Sequence, residues 1–233
     1  MKAAKIYSVI VLLFFVATKT SAQKLPYIQA THLTWSVIYD YNHMAPSMVY
    51  YILQESDFQG VQLSKPKHFK QDYRLPPPRV KNNAFTFDGY QRGHLCPSGD
   101  RDSRRDWFRD TYYTSNLLPM TAEVNAGAWK DTELYCRKIA LSGHVLKIAC
   151  GPIWNDTVPQ WNATHTMRVP GSFWKLCVCT LHPHESVLWL VPNDHTSRKQ
   201  FQCRHDPLAL PPLLPNIIIN YLQSWLQTRF PEE

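Results

Sequence analysis

Residues 125–142, NAGAWKDTELYCRKIALS, decide how the rest of the chain is read. Asn125 is a favoured N-cap type, Ala, Leu, Glu and Lys fill much of the interior, and Gly143 follows where a helix would end. The segment is expected to be a helix from about Asn125 to Ser142. At about 100° per residue, Asn125 and Trp129 differ by about 40° and Asn125 and Glu133 by about 80°, so one face carries all three. Arg137 stands one turn beyond Glu133, in i,i+4 contact with it.

Working outward, Val145 to Ala149 reads as a buried strand cut off by Gly151-Pro152. Phe173 to Leu181 and Ser186 to Val191 read as two further strands, joined by a turn around His182-Pro183-His184. Ile217 to Thr228 has helical length and an apolar stripe, after Pro211, Pro212 and Pro215. Upstream, Met48 to Leu53 is an expected strand and residues 27–46 are expected to be aromatic-rich and irregular. The polar stretch from Ser56 to Val80 contains Pro76-Pro77-Pro78, a stiff extended segment. Helices and strands intermixed in this way suggest α+β or mixed α/β. The expected fold is α+β, a central, largely antiparallel sheet with flanking helices.

Composition narrows the class. With 44% apolar, 13% aromatic and only 18% charged residues among 233, the chain is not disordered. Eight Gly and eighteen Pro without a period exclude a collagen-like chain, and no window approaches twenty apolar residues, which excludes a polytopic membrane protein. Lys2 and Lys5, the apolar run Val9 to Ala17, and Thr20-Ser21-Ala22 together read as a secretory signal peptide over residues 1–22, with a short N-terminal anchor as the alternative. The expectation is a secreted or periplasmic protein whose domain spans residues 23–233. Cleavage would lower the net charge from +7 to +4, because residues 1–22 hold Lys2, Lys5 and Lys19 and no acids. That mild basicity is compatible with a polyanionic partner without arguing for one. Six cysteines (Cys96, Cys136, Cys150, Cys177, Cys179 and Cys203) in an exported chain suggest disulfides, with free buried thiols and a metal site as the other readings. Cys177 and Cys179 share one side of a strand and are not expected to bond to each other.

Tyr90-Gln91-Arg92-Gly93-His94-Leu95 brings a cation, a flexible residue and an imidazole into three positions. Taken singly, every piece has a plain structural explanation: Asn125 as a cap, Trp129 as a core anchor, Glu133 with Arg137 as a surface pair, His94 as a structural histidine. Ser142-Gly143-His144 lacks a nucleophile elbow. His182, His184 and Glu185 read as a solvated turn. Asn155-Asp156-Thr157 and Asn162-Ala163-Thr164 are glycosylation acceptors only in a eukaryotic host.

The order and spacing of the pieces say more. Arg92-Gly93-His94, then Ser115-Asn116-x-x-Pro119, then Asn125-x-x-x-Trp129-x-x-x-Glu133-x-x-x-Arg137 resembles the DNA/RNA non-specific endonuclease family, which takes in Serratia-type secreted nucleases and endonuclease G. The resemblance implies a ββα-metal active site that hydrolyses phosphodiester bonds of DNA and RNA with little sequence preference. It implies Asn125 as the one direct ligand of Mg²⁺, or of another divalent cation such as Mn²⁺, a cation that is content with few protein ligands. His94 matches the general base, Glu133 the residue holding metal-bound waters, Arg92 and Arg137 the cations near the phosphate, and Asn116 a position behind the site. Lys67 matches a substrate-facing residue that is often Arg. Gln91 departs from the Asp usual before Arg-Gly-His, so one carboxylate near the metal waters is absent. The alternative reading is a catalytically weak nucleic-acid-binding protein that retains the nuclease scaffold.

Overall fold

The computed structural model describes residues 27–58, 63–66, 68–81, 84, 89–155, 160–161, 167–179, 186–195, 202–204 and 214–228. In chain order the strands are β1 (Tyr27–Thr31), β2 (Ser36–Asp40), β3 (Ala45–Leu53), β4 (Gln91–His94), β5 (Leu117–Met120), β6 (Leu146–Ile153), β7 (Gln160–Trp161), β8 (Arg168–Val169), β9 (Ser172–Cys179), β10 (Val187–Pro192) and β11 (Gln202–Arg204). The helices are α1 (Arg105–Asp110), α2 (Trp129–Ala140) and α3 (Asn216–Gln227). Seven strands form one sheet in the order β1-β2-β3-β6-β9-β10-β11, every neighbouring pair antiparallel. The α+β expectation of an antiparallel sheet with flanking helices holds.

Period-2 alternation assigns the two faces. Val37, Tyr39, Val49, Tyr51, Ile148, Cys150, Phe173 and Cys177 pack on one side with Leu117, Leu118, Met120, Trp129, Cys136 and Ile139, so that side is covered by β5 and α2. Ile38, Met48, Ala149, Trp174, Leu176 and Leu188 pack on the other side with Leu214, Ile218 and Leu222 of the α3 region. The result is three layers. α3 is locked to its side by a buried lysine from β6. Lys147 Nζ donates to the carbonyls of Trp225 (3.1 Å), Leu226 (3.1 Å) and Thr228 (2.5 Å). Trp225 and Leu226 belong to the last turn of α3, whose carbonyls lack intrahelical donors; Trp225 also accepts from Thr228 N (3.1 Å), and a cation here meets the negative end of the helix dipole.

Three local expectations need correction. Residues 27–46 are not irregular: they contain β1 and β2, registered from Tyr27 opposite Asp40 to Thr31 opposite Ser36. Val37, Ile38, Tyr39 and Asp40 are all buried, and a strand covered on both faces shows no alternation to read. Secondly, β6 is not cut off at Gly151-Pro152 but continues to Ile153. A Cβ at Gly151 would lie 2.3 Å from the Ser47 carbonyl oxygen, so glycine here serves a close approach of β3 and β6 rather than a chain break. Thirdly, the helix expected from Asn125 is two pieces. A π-helical turn, Val124–Ala128, with a non-helical Gly127 (φ −115°, ψ −106°), precedes α2. Gly143 does follow the helix with φ +90°, a conformation that favours glycine.

The expected disulfides are not found among the described side chains. Cys96, Cys136, Cys150 and Cys177 are buried free thiols, and Cys179 is buried as well. Burial raises the Cys150 thiol to about 12 and that of Cys96 further, so both stay protonated and act as small apolar core residues. The N-terminal segment 1–22, Lys67, the 182–185 turn, residues 156–157 and 162–164 of the two acceptor sequences, and the Cys203 side chain lie outside the described residues. No helix among the described residues is long and apolar enough to cross a membrane.

Candidate active site

β4 and β5 form a separate antiparallel pair, with Gln91 opposite Met120 and His94 opposite Leu117. Gly93 faces the Met120 side chain so closely that a Cβ would sit 2.1 Å from its sulfur. The glycine of Arg92-Gly93-His94 is therefore needed for β4 to lie against β5. Arg92 and His94, two apart, point to the opposite side and meet the same ring: the Arg92 guanidinium lies 5.1 Å and the His94 ring 5.6 Å from the Phe69 ring centre.

The backbone around His94 is pinned from two directions. Trp129 Nε1, at the start of α2, donates to the His94 carbonyl (2.9 Å). Asn116 holds the next two residues: its carbonyl accepts from Leu95 N (2.9 Å), its Oδ1 accepts from Cys96 N (2.8 Å), and its Nδ2 donates to the carbonyls of Cys96 and Thr111. Asn116 is fully buried and its amide is saturated by backbone, so it does not face substrate. Behind it, Ser115 Oγ donates to Asp72 (2.6 Å), which also meets His32 Nε2 at 3.0 Å. Burial alone would raise Asp72, but hydrogen bonds from His32 and Ser115 outweigh it and hold the carboxyl below its ordinary value. This buried cluster ties the β1–β2 connection to the start of β5.

His94, Asn125, Glu133 and Arg137 share one cavity of about 260 Å³, together with Pro97, Ser98, Gly99 and Lys130. Burial, assisted by the Lys65 charge, lowers the His94 imidazole to about 4. The ring is neutral at physiological pH, and its Nε2 is buried with no hydrogen-bond partner, free to accept a proton. The pKa near 6.5 expected of an unperturbed histidine does not apply here. Glu133 shifts the other way, to about 7: burial raises it, Lys175 opposes, Asp100 adds to the rise, and Arg137 and Lys130 oppose. Arg137 Nε donates to the buried Asp100 (2.5 Å), whose other oxygen accepts from the Tyr51 hydroxyl (3.1 Å), while a second guanidinium nitrogen of Arg137 stands 3.5 Å from Glu133. Arg137 therefore links Glu133 to the core.

Trp129 belongs to the core rather than to the cavity: its ring is fully buried and lies under Lys175 Nζ at 4.0 Å. Arg92 is not part of the cavity lining. Asp100, Lys130, Phe69, Tyr112 and Lys175 escape sequence reading. Among them only Lys130, one residue after Trp129 in the quoted stretch, carried a local signal. Among the described residues no three His, Cys, Asp or Glu side chains gather as a metal cage. The oxygen donors present, the Asn125 amide and the Glu133 carboxylate, fit a hard cation that keeps most of its water.

The family model for DNA/RNA non-specific endonuclease matches residues 17–209, most of the chain and all of this cavity. The chain belongs to the DNA/RNA non-specific endonuclease family. It is 27% identical over 169 residues to a nuclease from Danio rerio named "Nuclease EXOG, mitochondrial", covering 66% of this chain and 49% of that one. It is 30% identical over 128 residues to a "Nuclease" from Nostoc sp., covering 54% and 46% of the two chains. Against the "Mitochondrial nuclease" of Saccharomyces cerevisiae it is 32% identical over 155 residues, covering 58% and 47%. The chain thus spans about half the length of these relatives. The fold is also that of a chain in the crystal structure of the EndoG/EndoGI complex, with a TM-score of 0.62, 22% identity, and coverage of 76% of this chain and 79% of that one. The names of the animal and yeast relatives place those nucleases in mitochondria, which overturns the expectation of a secreted or periplasmic location.

Proposed function

We propose that this member of the family is an endonuclease that hydrolyses phosphodiester bonds of DNA and RNA with little sequence preference, using Mg²⁺ or a similar divalent cation. The observation that carries the reading is one cavity lined by a neutral imidazole with a bare Nε2, an amide oxygen donor and a half-buried carboxylate–guanidinium pair. His94 comes from β4, Asn125 from the π-helical turn and Glu133 and Arg137 from α2, with β5 paired to β4, an arrangement in the manner of a ββα-metal motif within a domain that spans residues 23–233.

His94 Nε2 takes the proton of the attacking water, and the ring is held for this by Phe69 and Tyr112. Asn125 Oδ1 and water held by Glu133 would bind the cation, which supplies positive charge to the scissile phosphate and the leaving oxygen. Arg137, neutralised by Asp100 and Glu133, orients Glu133. Lys130, at the exposed edge, and Lys67 attract the phosphate chain, and Arg92 adds positive charge behind Phe69. Contacts of this kind address phosphate and sugar and carry little base information.

The test is cleavage of plasmid DNA and of single-stranded RNA by the wild type and His94→Ala, with Mg²⁺ and with excess chelator. A loss of about 10²–10⁴-fold in turnover with nucleic-acid binding retained is expected for removal of a general base. Equal cleavage by the folded variant, or full wild-type activity in chelator, overturns the mechanism. A wild type that binds but never cleaves favours the nucleic-acid-binding reading, for which the departure at Gln91 is the specific observation.

A further inference from the structure

Gln91, the residue that departs from the family pattern, makes a direct contact with the proposed cation ligand. Asn125 Nδ2 donates to Gln91 Oε1 at 2.7 Å. A primary amide has two ends of almost equal size, one a donor and one an acceptor, and its environment decides which way it faces. With the Nδ2 end engaged by Gln91, the Oδ1 end of Asn125 is left to the cavity it shares with His94 and Glu133. The reversed amide would present N–H groups to a cation and repel it.

We propose that Gln91 is a positioning residue that fixes the orientation of the Asn125 amide, so that its oxygen is already turned toward a divalent cation before the cation arrives. The inference rests on the function proposed above. What the position requires is an acceptor facing Asn125; the Gln91 oxygen supplies it in this structure, whereas a carboxylate, which has only acceptors, supplies it in either orientation. The non-helical Gly127 and the π-helical turn around Asn125 make a second support useful here, because this residue does not sit within the regular hydrogen bonding of α2. The absent carboxylate is thus compensated in its geometric role, though not in its charge.

The test uses the full chain with Gln91→Met, which keeps size but has no amide acceptor, and Gln91→Glu, which has only acceptors. Two readouts are taken: Mn²⁺ binding by calorimetry, and the Asn125 side-chain amide protons by ¹⁵N-resolved NMR of the metal-free protein, assigned from their absence in Asn125→Asp. We expect one Asn125 amide proton to be protected from exchange in the wild type and in Gln91→Glu and to lose that protection in Gln91→Met. The Kd for Mn²⁺ should rise about two- to tenfold in Gln91→Met, the range of a single net hydrogen bond. It should stay the same or fall in Gln91→Glu. Identical Asn125 amide signals in wild type and Gln91→Met, or an unchanged Kd in a wild type that does bind Mn²⁺, overturn the role of Gln91. A wild type that binds no Mn²⁺ while the amide signals behave as expected overturns the cation reading instead, and leaves the hydrogen bond established.

Discussion

Replacing Glu133 with Gln should stabilise the folded protein at pH 8 while impairing metal binding. Glu133 is 14% exposed, and burial is the largest cause raising its carboxyl from 4.5 to about 7, ahead of the opposing Lys175 charge and the like charge of Asp100. At about 1.36 kcal/mol per pH unit, the rise corresponds to roughly 3 kcal/mol of free energy. Between pH 4.5 and 7 the folded chain keeps a proton on Glu133 that the unfolded chain has released, so stability falls as pH rises through that window. Below pH 4.5 both states are protonated and the neutral Glu133 resembles Gln. Above pH 7 the wild type carries the full cost of a buried carboxylate, and Glu133→Gln does not. Arg137 does not become an orphan in the variant, because Asp100 still accepts from its Nε. For a chain of this size about 1 kcal/mol moves the midpoint of unfolding by roughly 2–4 °C. Glu133→Gln should therefore melt about 6–12 °C above the wild type at pH 8, with the gap closing toward pH 4.5. Melting curves at several pH values, with Mn²⁺ calorimetry alongside, measure both halves. A variant that is no more stable at pH 8, or a gap that does not change with pH, would show that Glu133 is not held charged against its environment.

Three further outcomes follow from the same geometry. The His94 imidazole should titrate near 4 rather than 6.5, seen as the pH dependence of its Hε1 resonance in the metal-free protein, and a midpoint above 6 would refute the desolvated base. Lys175→Met should push the Glu133 carboxyl above about 7, read by carboxyl NMR, because the buried ammonium is the largest influence holding it down. The substitution orphans no hydrogen-bond acceptor, since Lys175 Nζ has none, but it takes the ammonium off the Trp129 ring and away from Glu133, so any loss of stability should be larger above pH 7, where Glu133 is ionised, than near pH 4.5, and a loss that is the same at both would refute the coupling to Glu133. Lys147→Met should lower stability by about 1–3 kcal/mol, because the carbonyls of Leu226 and Thr228 lose the Lys147 ammonium while Trp225 keeps only its bonds from Thr228, and proteolysis should then release the C-terminal helix first.

Much of the site is legible in order and spacing. Arg92-Gly93-His94 and the Asn125 to Arg137 run announce a strand and a helix carrying chemistry, and the i,i+4 pair Glu133–Arg137 is present as expected. The sequence does not show β2, whose burial on both faces erases alternation, nor β1, a short strand in which only Ala30 is buried, nor the π-helical turn at Asn125, where local propensity favours a continuous helix.

By itself the sequence determines the family, the residue types available for catalysis, and the periodicities that place them on a strand and a helix. Only the tertiary structure decides their protonation and partners. His94 falls to about 4 and Glu133 rises to about 7 because each is desolvated by residues far away in the chain, and desolvation is a property of the whole surrounding volume. Asp100 meets Arg137 across 37 residues, Gln91 meets Asn125 across 34, and His32 meets Asp72 across 40. No periodicity encodes such contacts. The first two arise when β4 and β5 are clamped against α2, and that clamp is set by packing: a glycine at position 93 that admits Met120, and a buried Trp129 that reaches the carbonyl of His94.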